Sequence, residues 1–211
     1  TKVSSIEECL EAFSFARERS VPVVILGGGS NTLVDDGEAE ALFVHTRMHG
    51  ISHEGTTLIA HAGDAWDEVA LYAVENNLWG LENLSGIPGS LGGAIVQNIG
   101  AYGAALSETC LFVEAFDRLN NRSVRLSNEE CAFGYRTSVF KEQNDRFCIL
   151  RAGFSLPSAG TPKVEYRDLF DYFGGTEPTH QTVRDAVLRI RAEKFPDLHL
   201  EGTAGSFFKN P

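Results

Sequence analysis

A glycine-rich stretch between residues 80 and 103 constrains the fold of this chain more than any other segment. Its sequence, GLENLSGIPGSLGGAIVQNIGAYG, contains seven glycines and seven aliphatic residues, but no lysine, arginine or aspartate. The aliphatic residues require burial, so the stretch differs from a flexible linker. A buried loop of this kind has backbone N–H groups that must find partners, and consecutive N–H groups can form a nest for an anion such as a pyrophosphate. The alternative interpretation is a set of tight turns between core strands.

Another glycine run, the first in chain order, follows the apolar segment VPVVIL at residues 21–26, which we predict to be a buried strand. The run consists of Gly27, Gly28, Gly29, Ser30 and Asn31. It lacks the lysine of a Walker A loop, and Thr32 stands where the dinucleotide fingerprint needs a third glycine. The segment TLVDDG that follows favours a short extended run and an Asp-Gly turn over a helix. These residues therefore predict a glycine nest with two side-chain donors, with a simple strand-to-strand turn as the alternative.

The overall composition excludes several classes of function. The chain has 211 residues and a net charge of −11, which disfavours a nucleic-acid partner and an anionic membrane surface. No apolar run approaches the length of a membrane helix, and the start, TKVSSIEECL, does not read as a signal peptide. We therefore expect a cytoplasmic protein, and we expect the chain to be a fragment of a longer one.

Neither the cysteines nor the histidines indicate a metal site. The four cysteines are far apart and form no CxxC pair: Cys9, Cys110, Cys131 and Cys148. Reduced thiols are the expected state. His45, His49 and His53 have four-residue spacing, but Gly50 and the Glu54-Gly55 pair predict a turn between strands instead of a helix that would align them. We expect no metal in this protein.

The remaining periodicity predicts short strands and a few helices, an α+β pattern without regular alternation. A capping box at residues 5–8 predicts a helix that ends near Ser20, and Asp64 is predicted to cap a helix through Asn77 with Trp66, Val69, Ala70 and Ala73 inward. The other predictions are strands at 41–46, 57–62 and 147–156, a hairpin of 109–119 with 123–126, a second capping box at 127–130, an irregular excursion at 161–175, and a helix at 179–194 with Val183, Val187 and Ile190 on one side.

Four separated runs together resemble the UDP-N-acetylenolpyruvoylglucosamine reductase family of flavoenzymes. They are VPVVILGGGSN at 21–31, the whole of 80–103, FGYRTSVFK at 133–141 and AGSFFKNP at 204–211. The resemblance covers almost the whole chain. It implies an α+β fold: a two-lobed FAD-binding domain of the vanillyl-alcohol-oxidase (PCMH) type, followed by the start of a truncated α+β substrate domain. The implied divisions are a first lobe at 1–50, a second lobe at 51–195 with a capping loop at 161–175, and the start of the C-terminal domain at 196–211.

The resemblance also implies the cofactor and the reaction. The two glycine runs would embrace FAD, and hydride from NADPH would pass through the flavin to the enolpyruvyl group of a UDP-sugar enolpyruvyl ether in peptidoglycan precursor synthesis. The residues implied to bind FAD are Gly27, Gly28, Gly29, Ser30, Asn31, Gly86, Ile87, Gly89, Ser90, Gly92, Gly93 and Tyr135. We expect no partner beyond the small-molecule substrate, and a monomer.

Two residues are implied to be catalytic. Hydride addition leaves negative charge delocalised into the substrate carboxylate, and a permanently protonated, bidentate guanidinium suits that charge. By resemblance this group is Arg136, and Ser206 is the general acid that protonates the adjacent carbon. A hydroxyl is a poor acid near neutral pH, so Ser206 needs help from its surroundings. Without the resemblance, a surface arginine and a turn serine would be the alternatives.

Other matched positions are implied to bind the substrate: Tyr166, Lys194, Lys209 and Asn210. Tyr166 would lie on the capping loop, whereas core packing is the alternative for the aromatic residues Phe170, Tyr172 and Phe173. The sequence departs from the family at both ends. It lacks a short segment before the first helix, and no residue matches the family's active-site glutamate. We therefore expect that the chain binds FAD but turns over poorly alone. A flavin-binding module without catalysis, a flavin oxidase of the wider fold, or a glycine-rich domain without flavin are the rival interpretations.

Overall fold

The computed structural model describes residues 1–144, 146–197 and 200–201. The helices, numbered in chain order, are α1 (Ile6–Glu18), α2 (Trp66–Glu75), α3 (Leu91–Gln97), α4 (Val139–Glu142), α5 (Arg167–Phe173) and α6 (His180–Lys194). The strands are β1 (Lys2–Val3), β2 (Val23–Leu26), β3 (Leu42–Thr46), β4 (Ser52–Glu54), β5 (Thr57–His61), β6 (Gly100–Ala101), β7 (Ala104–Ala105), β8 (Cys110–Asp117), β9 (Arg122–Ser127) and β10 (Phe147–Ser155).

The first part of the chain forms a parallel sheet with strand order β1-β3-β2. Helix α1 lies between its first two strands in sequence and buries Cys9, Ala12 and Ala16. The predicted capping box is present with one change. Ser5 Oγ accepts from the Glu8 N–H at 3.2 Å, but the Glu8 carboxylate accepts from Ser4 rather than Ser5. Strand β2 delivers the chain directly into the first glycine run.

The second part forms an antiparallel sheet with strand order β4-β5-β10-β8-β9. Strand β10 lies at its centre and is buried along most of its length. The predicted hairpin is confirmed as β8 and β9. Its turn is held by Asp117, which accepts from the Leu119 and Asn120 N–H groups and pairs with Arg146. The predicted capping box at Ser127 and Glu130 is also present, although it closes a turn without a helix.

The prediction that Asp64 caps α2 is wrong. The helix begins at Trp66 after Ala65, which makes no side-chain cap. The Asp64 carboxylate instead accepts from the backbone N–H groups of His61 at 2.7 Å and Gly50 at 3.0 Å. Asp64 therefore ties two loops together, and donors from those loops outcompete the helix end. The inward positions of α2 are as predicted, because Trp66, Val69, Ala70 and Ala73 are all buried.

The glycine stretch contains more regular structure than a loop. A 3₁₀ turn covers Glu82–Leu84, and helix α3 begins after Ser90, whose Oγ accepts from the Gly93 N–H. Two glycines in a helix cost about 1 kcal/mol each relative to alanine, so the sequence alone argued against a helix here. Complete burial of Leu91 and Ile95 offsets that cost.

Two hydrophobic clusters hold the fold together. The larger one contains both sheets with α1, α2 and α3. The smaller one joins α5 to α6 and consists of Tyr102, Leu169, Val183, Ala186, Val187 and Ile190. The inward face predicted for α6 is therefore confirmed. The excursion at 161–175 contains α5, on which Phe170 and Tyr172 are exposed while Phe173 packs against the smaller cluster.

The cysteines are buried free thiols, as expected, and burial raises the pKa of Cys110 and of Cys131 to about 12. Across the described ranges, no group of three potential metal ligands comes together. Within the same ranges, no helix is long and apolar enough to cross a membrane.

Candidate functional site

The two glycine runs meet in space. Ser30 Oγ donates a hydrogen bond to the Pro88 carbonyl oxygen at 3.1 Å. A Cβ atom built on Gly28 would lie 3.0 Å from Gly89 Cα, and one built on Gly27 would lie 2.3 Å from Ser90 Oγ. Side chains at these glycines would force the two backbones apart. The structure therefore brings together two runs that the sequence treated separately.

Among the residues that the structure describes, the contact leaves several backbone donors without partners. In the described part of the chain, the N–H groups of Gly28, Gly29, Ser30 and Asn31 make no hydrogen bond, and the same holds for Ile87, Gly89 and Ser90. Gly29 adopts φ +72° and has open space where a side chain would be. Unsatisfied, closely spaced N–H donors bind oxyanions well, so this cradle fits the diphosphate of a dinucleotide.

Three other glycines of the 80–103 stretch have their N–H groups occupied within the fold. The Gly92 N–H donates to Ala62 O at 3.0 Å, and the Gly93 N–H donates to Ser90 Oγ at 3.5 Å. The Gly86 N–H donates to Asp67 Oδ1 at 2.6 Å. All three of these glycines, Gly86, Gly92 and Gly93, are residues that the resemblance implied to bind FAD. They shape the cradle through packing and φ rather than by donating to a ligand.

Arg136 lies in a tight turn that contacts the end of the glycine stretch. The turn is closed by reciprocal backbone hydrogen bonds between Gly134 and Thr137. Arg136 has φ +55°, a conformation that costs a non-glycine residue about 1 kcal/mol or more. Its guanidinium Nη2 donates to Gly100 O at 2.8 Å, and Lys141 Nζ donates to the Arg136 carbonyl at 3.0 Å. Several contacts thus fix the arginine that the sequence singled out.

A cavity of about 500 Å³ opens between this turn and the end of the glycine stretch. Its lining contains Tyr135, Arg136 and Tyr166, three of the predicted site residues. Tyr166 meets the buried Tyr102 edge to face, with ring centroids 5.5 Å apart. The remaining lining residues are Asn98, Gly100, Ala101, Gly103, Ala104, Ala105, Ser107, Phe133 and Gly134. The cavity therefore combines a fixed guanidinium with phenolic hydroxyls, which suits a ligand with a carboxylate and polar oxygens.

Lys194 lies on the same side of the molecule, at the end of α6. Its Nζ donates to Asp168 Oδ2 at 2.6 Å, which ties α6 to the beginning of α5. The hydrogen bond that Lys194 donates to Asp168 raises the pKa of Lys194, so the ammonium is charged at neutral pH. Burial raises the pKa of Tyr102, although Arg191 and Lys194 partly oppose that shift. Arg191 and Lys194, near the C-terminal end of α6, therefore place positive charge close to Tyr102, which contacts Tyr166.

Three residues that the sequence analysis missed hold this site. Asn83 is buried, and its Nδ2 donates to Tyr102 O at 2.8 Å and to Lys163 O at 2.7 Å. Asn98 ends α3 with φ 41° and donates to Gly134 O, while Lys141 also donates to Gln97 Oε1. The only available signal was that polar residues interrupt apolar runs, such as Asn83 between leucines. Three further predicted site residues, Ser206, Lys209 and Asn210, lie outside the described residues.

The comparisons with known proteins begin with a family match over more than half of the chain. Residues 1–126 match the family described as the FAD binding domain. Both glycine runs fall inside this range. The predicted cofactor is therefore supported by a family whose defining property is flavin binding.

Curated relatives match nearly the full chain. The UDP-N-acetylenolpyruvoylglucosamine reductase of Salmonella choleraesuis (strain SC-B67) is 41% identical over 210 residues, which are 97% of this chain and 61% of that protein. The protein of the same name from Escherichia coli (strain K12) is 39% identical over 209 residues, with the same coverage of 97% and 61%. The one from Pseudomonas syringae pv. tomato is 40% identical over 213 residues, covering 97% and 62%. The chain thus spans about 61% of the length of these relatives.

Solved structures confirm the predicted fold class. The crystal structure of UDP-N-acetylenolpyruvylglucosamine reductase (MurB) from Thermus caldophilus superposes with a TM-score of 0.73 at 25% identity, covering 100% of this chain and 67% of that one. The Physcomitrella patens protein BBE-like 1 gives a TM-score of 0.57 at 14% identity, covering 74% of this chain and 35% of that one. An alkyldihydroxyacetonephosphate synthase gives a TM-score of 0.53 at 13% identity, covering 77% and 32%. The last two likenesses concern the fold alone.

Proposed function

We propose that this chain, which belongs to the FAD binding domain family, is the flavin-binding part of a UDP-N-acetylenolpyruvoylglucosamine reductase. The observation that carries the proposal is the near-complete match, at about 40% identity over 97% of the chain, to reductases of that name. The geometry agrees with it, because the glycine cradle and the Arg136 turn both contact the glycine stretch, the cradle at Gly89 and Ser90 and the turn at Gly100. The reaction is the reduction of UDP-N-acetylglucosamine enolpyruvate to UDP-N-acetylmuramate, with NADPH as reductant, in peptidoglycan precursor synthesis.

The cradle residues hold the cofactor in this proposal. Bound FAD supplies hydride transfer between the nicotinamide and the substrate. Gly28, Gly29 and Ser30 offer N–H groups to its diphosphate from the first run, and Gly89 and Ser90 offer theirs from the second. Ser30 contributes rigidity as well, since its hydroxyl already joins the runs. Because the donors are fixed before binding, little conformational entropy is lost when the anion arrives.

Arg136 stabilises the charge that develops on the substrate. Reduction of the enolpyruvyl double bond at its terminal carbon leaves negative charge on the adjacent carbon and its carboxylate. A guanidinium held by Gly100 and by its own strained turn can meet that carboxylate without reorganisation. Arg136 is a better candidate than Lys141, because Lys141 Nζ is already engaged by two oxygens.

The remaining roles are assigned by position in the family. Ser206 delivers the proton to the adjacent carbon, and Lys209 and Asn210 contact the substrate. Tyr166 and Lys194 bind the UDP-sugar diphosphate at the cavity edge, where the Lys194 ammonium is available alongside its Asp168 partner. We further propose that the protein acts in the cytoplasm as a monomer. We also propose that residues 1–50 form the first lobe, residues 51–195 the second lobe, and residues 196–211 the start of the C-terminal domain. The clear separation of the two sheets in sequence supports the first of these divisions.

The test is NADPH oxidation that depends on the enolpyruvyl substrate. The proposal predicts that the FAD-loaded chain consumes NADPH, at a low rate, when UDP-N-acetylglucosamine enolpyruvate is present and forms UDP-N-acetylmuramate. UDP-N-acetylglucosamine, which lacks the enolpyruvyl group, is the matched control and should not stimulate oxidation. Equal oxidation with both sugars would contradict the proposed reaction.

A second function has a specific observation in its favour. The cradle lies wholly within the described residues and by itself accounts for FAD binding, so an FAD-binding module without independent catalysis agrees with it. This reading predicts stoichiometric FAD, binding of the UDP-sugar to the cavity, and no substrate-dependent NADPH oxidation by the chain. The assay above separates the two functions directly.

A further inference from the structure

An ion pair lies directly behind one of the flavin-binding turns. Asp67 Oδ1 accepts from the Gly86 N–H at 2.6 Å and from Arg184 Nη1 at 2.7 Å. Asp67 Oδ2 accepts from Arg184 Nη2 at 2.8 Å, so the pair is bidentate. Gly86 has φ +69° and needs this anchor, because a glycine in an open turn has many alternative conformations. The three residues come from α2, the glycine stretch and α6.

The two members of the pair differ in exposure. The Arg184 side chain is 6% exposed and the Asp67 side chain is 39% exposed. Among the described residues, Asp67 is the only acidic partner of Arg184 within ion-pair distance. Burial alone would raise the pKa of Asp67, but hydrogen bonds from Arg184 and from the Gly86 N–H outweigh it and lower the pKa. The carboxylate is therefore ionised whenever the cradle is formed near neutral pH.

A carboxylate in this position creates an electrostatic problem for a flavin site. Gly86 ends the turn that follows the 3₁₀ segment, and the chain then runs to Gly89 and Ser90, whose N–H groups are donors of the cradle. A negative charge behind the turn repels a diphosphate in front of it, and the chain as a whole carries a net charge of −11. The Asp67 carboxylate stabilises the turn at Gly86, but its negative charge weakens binding of the diphosphate unless a cation neutralises it.

We propose that Arg184 is a positioning residue that neutralises Asp67, so that this carboxylate fixes the Gly86 turn without repelling the diphosphate of FAD. The inference rests on the proposed flavin function and assigns the pair a role in cofactor affinity. Arg184 does not touch the ligand. It acts through Asp67, and its effect on FAD is electrostatic.

This role predicts that the two single variants change FAD affinity in opposite directions. In Arg184→Met the Asp67 carboxylate stays ionised and loses its bidentate partner, and the more distant Arg191 offsets its charge only in part, so the dissociation constant for FAD should rise about tenfold at low ionic strength. In Asp67→Asn the amide oxygen can still accept from the Gly86 N–H while the Arg184 charge is uncompensated. Its affinity should therefore exceed that of the unsubstituted chain, by up to about threefold.

The double variant and a salt series complete the test. Asp67→Asn combined with Arg184→Met restores neutrality and keeps the acceptor, so its affinity should return to within about twofold of the unsubstituted chain. The loss in Arg184→Met should shrink between about 0.05 M and about 0.5 M salt, because screening weakens exposed charges. Arg189→Met, at an exposed position on the same helix, is the matched control and should leave affinity unchanged.

Affinities would be measured by titrating the apoprotein with FAD and following the quenching of flavin fluorescence, with thermal denaturation of each apoprotein alongside. A purely structural pair would lower affinity in both single variants, in step with lost stability, and that result would overturn the inference. Failure of the double variant to recover would overturn it as well. If Arg184→Met does not fold, Asp67→Asn still tests the inference. Weaker FAD binding by Asp67→Asn than by the unsubstituted chain would contradict the electrostatic role. Failure of the unsubstituted chain to bind FAD would instead overturn the proposed function itself, and the inference with it.

Discussion

Ser30 Oγ donates to the Pro88 carbonyl oxygen across 58 residues of sequence, and this hydrogen bond joins the two glycine runs into one cradle. Neither run resembles a Walker A loop or a dinucleotide fingerprint. Their joint geometry offers N–H groups from both sides of a groove, which one loop alone does not provide. Affinity for the cofactor should therefore depend on how closely the two backbones approach.

That dependence predicts a large effect of Gly89→Ala. Gly89 has φ +111°, and an added Cβ would lie 2.6 Å from Ser30 Oγ, the atom that joins the runs. Strain and the displaced Ser30 together should weaken FAD binding by at least about tenfold. Gly37→Ala is the control, since its Cβ would meet only the Asp35 side chain at ordinary contact distance. Titration with FAD measures both, and equal affinity in the two variants would show that the close approach is not required.

Arg136→Lys should separate ligands that carry a carboxylate from those that do not. A lysine keeps the charge but cannot combine the Gly100 contact with a bidentate carboxylate contact. Binding of UDP-N-acetylmuramate, measured by calorimetry, should weaken by about 10- to 100-fold, while binding of UDP-N-acetylglucosamine should change little. The exposed Arg19→Lys is the matched control. Equal losses for both sugars would indicate that Arg136 supports the turn alone.

Acid stability should depend on Asp117. Hydrogen bonds from Arg146 hold the pKa of this buried carboxyl below its usual range despite the opposing effect of burial. A depressed folded-state pKa contributes stability that is complete above the unfolded value of about 4 and is lost as the pH falls below it. Asp117→Asn should therefore lower the free energy of unfolding by about 1–3 kcal/mol near neutral pH.

The same variant should show a flatter dependence on pH. The difference in melting temperature between Asp117→Asn and the unsubstituted chain should narrow as the pH falls below about 4. Asp171→Asn replaces an exposed carboxylate paired with Arg167 and serves as the control, with a change of less than about 1 kcal/mol. A constant difference between Asp117→Asn and the unsubstituted chain at every pH would contradict the assignment.

Asn83 should control the segment that carries Tyr166. Its amide is the one group that bonds both Tyr102 O, at the end of the glycine stretch, and Lys163 O, at the start of that segment, within the described structure. Asn83→Asp keeps the shape but removes both donors, which should cost about 1–3 kcal/mol of stability. Limited proteolysis between residues 161 and 175 should accelerate in this variant. The exposed Asn121→Asp is the control. Identical cleavage rates in the two variants would show that the Asn83 hydrogen bonds do not hold this segment in place.

Local patterns predicted the elements whose contacts are local. The capping box at Ser5, the hairpin of β8 and β9, and the buried face of α6 follow from spacing that the sequence displays directly. Asp64 shows where that reasoning fails. It has the right residue type for a helix cap, but loop donors from Gly50 and His61 reach it first, and their positions depend on the fold.

The site divides in the same way. Composition marked both glycine runs, and the resemblance to a known family marked Arg136. It could not show which N–H groups are spent inside the fold, such as that of Gly92 on Ala62. Nor could it show Asn83 contacting a residue 80 positions away or Arg184 contacting one 117 positions away. The packing of α6 against α2 brings Arg184 to Asp67, and the contact between Asn83 and Lys163 likewise depends on the fold.

An absorbance spectrum of the purified chain, recorded after addition of FAD and thorough desalting, tests the central claim most directly. The two-run cradle predicts that flavin absorbance is retained at about one FAD per chain and that Gly89→Ala loses it under the same treatment. A folded chain that passes through desalting colourless would contradict the claim that these two glycine runs form a flavin site.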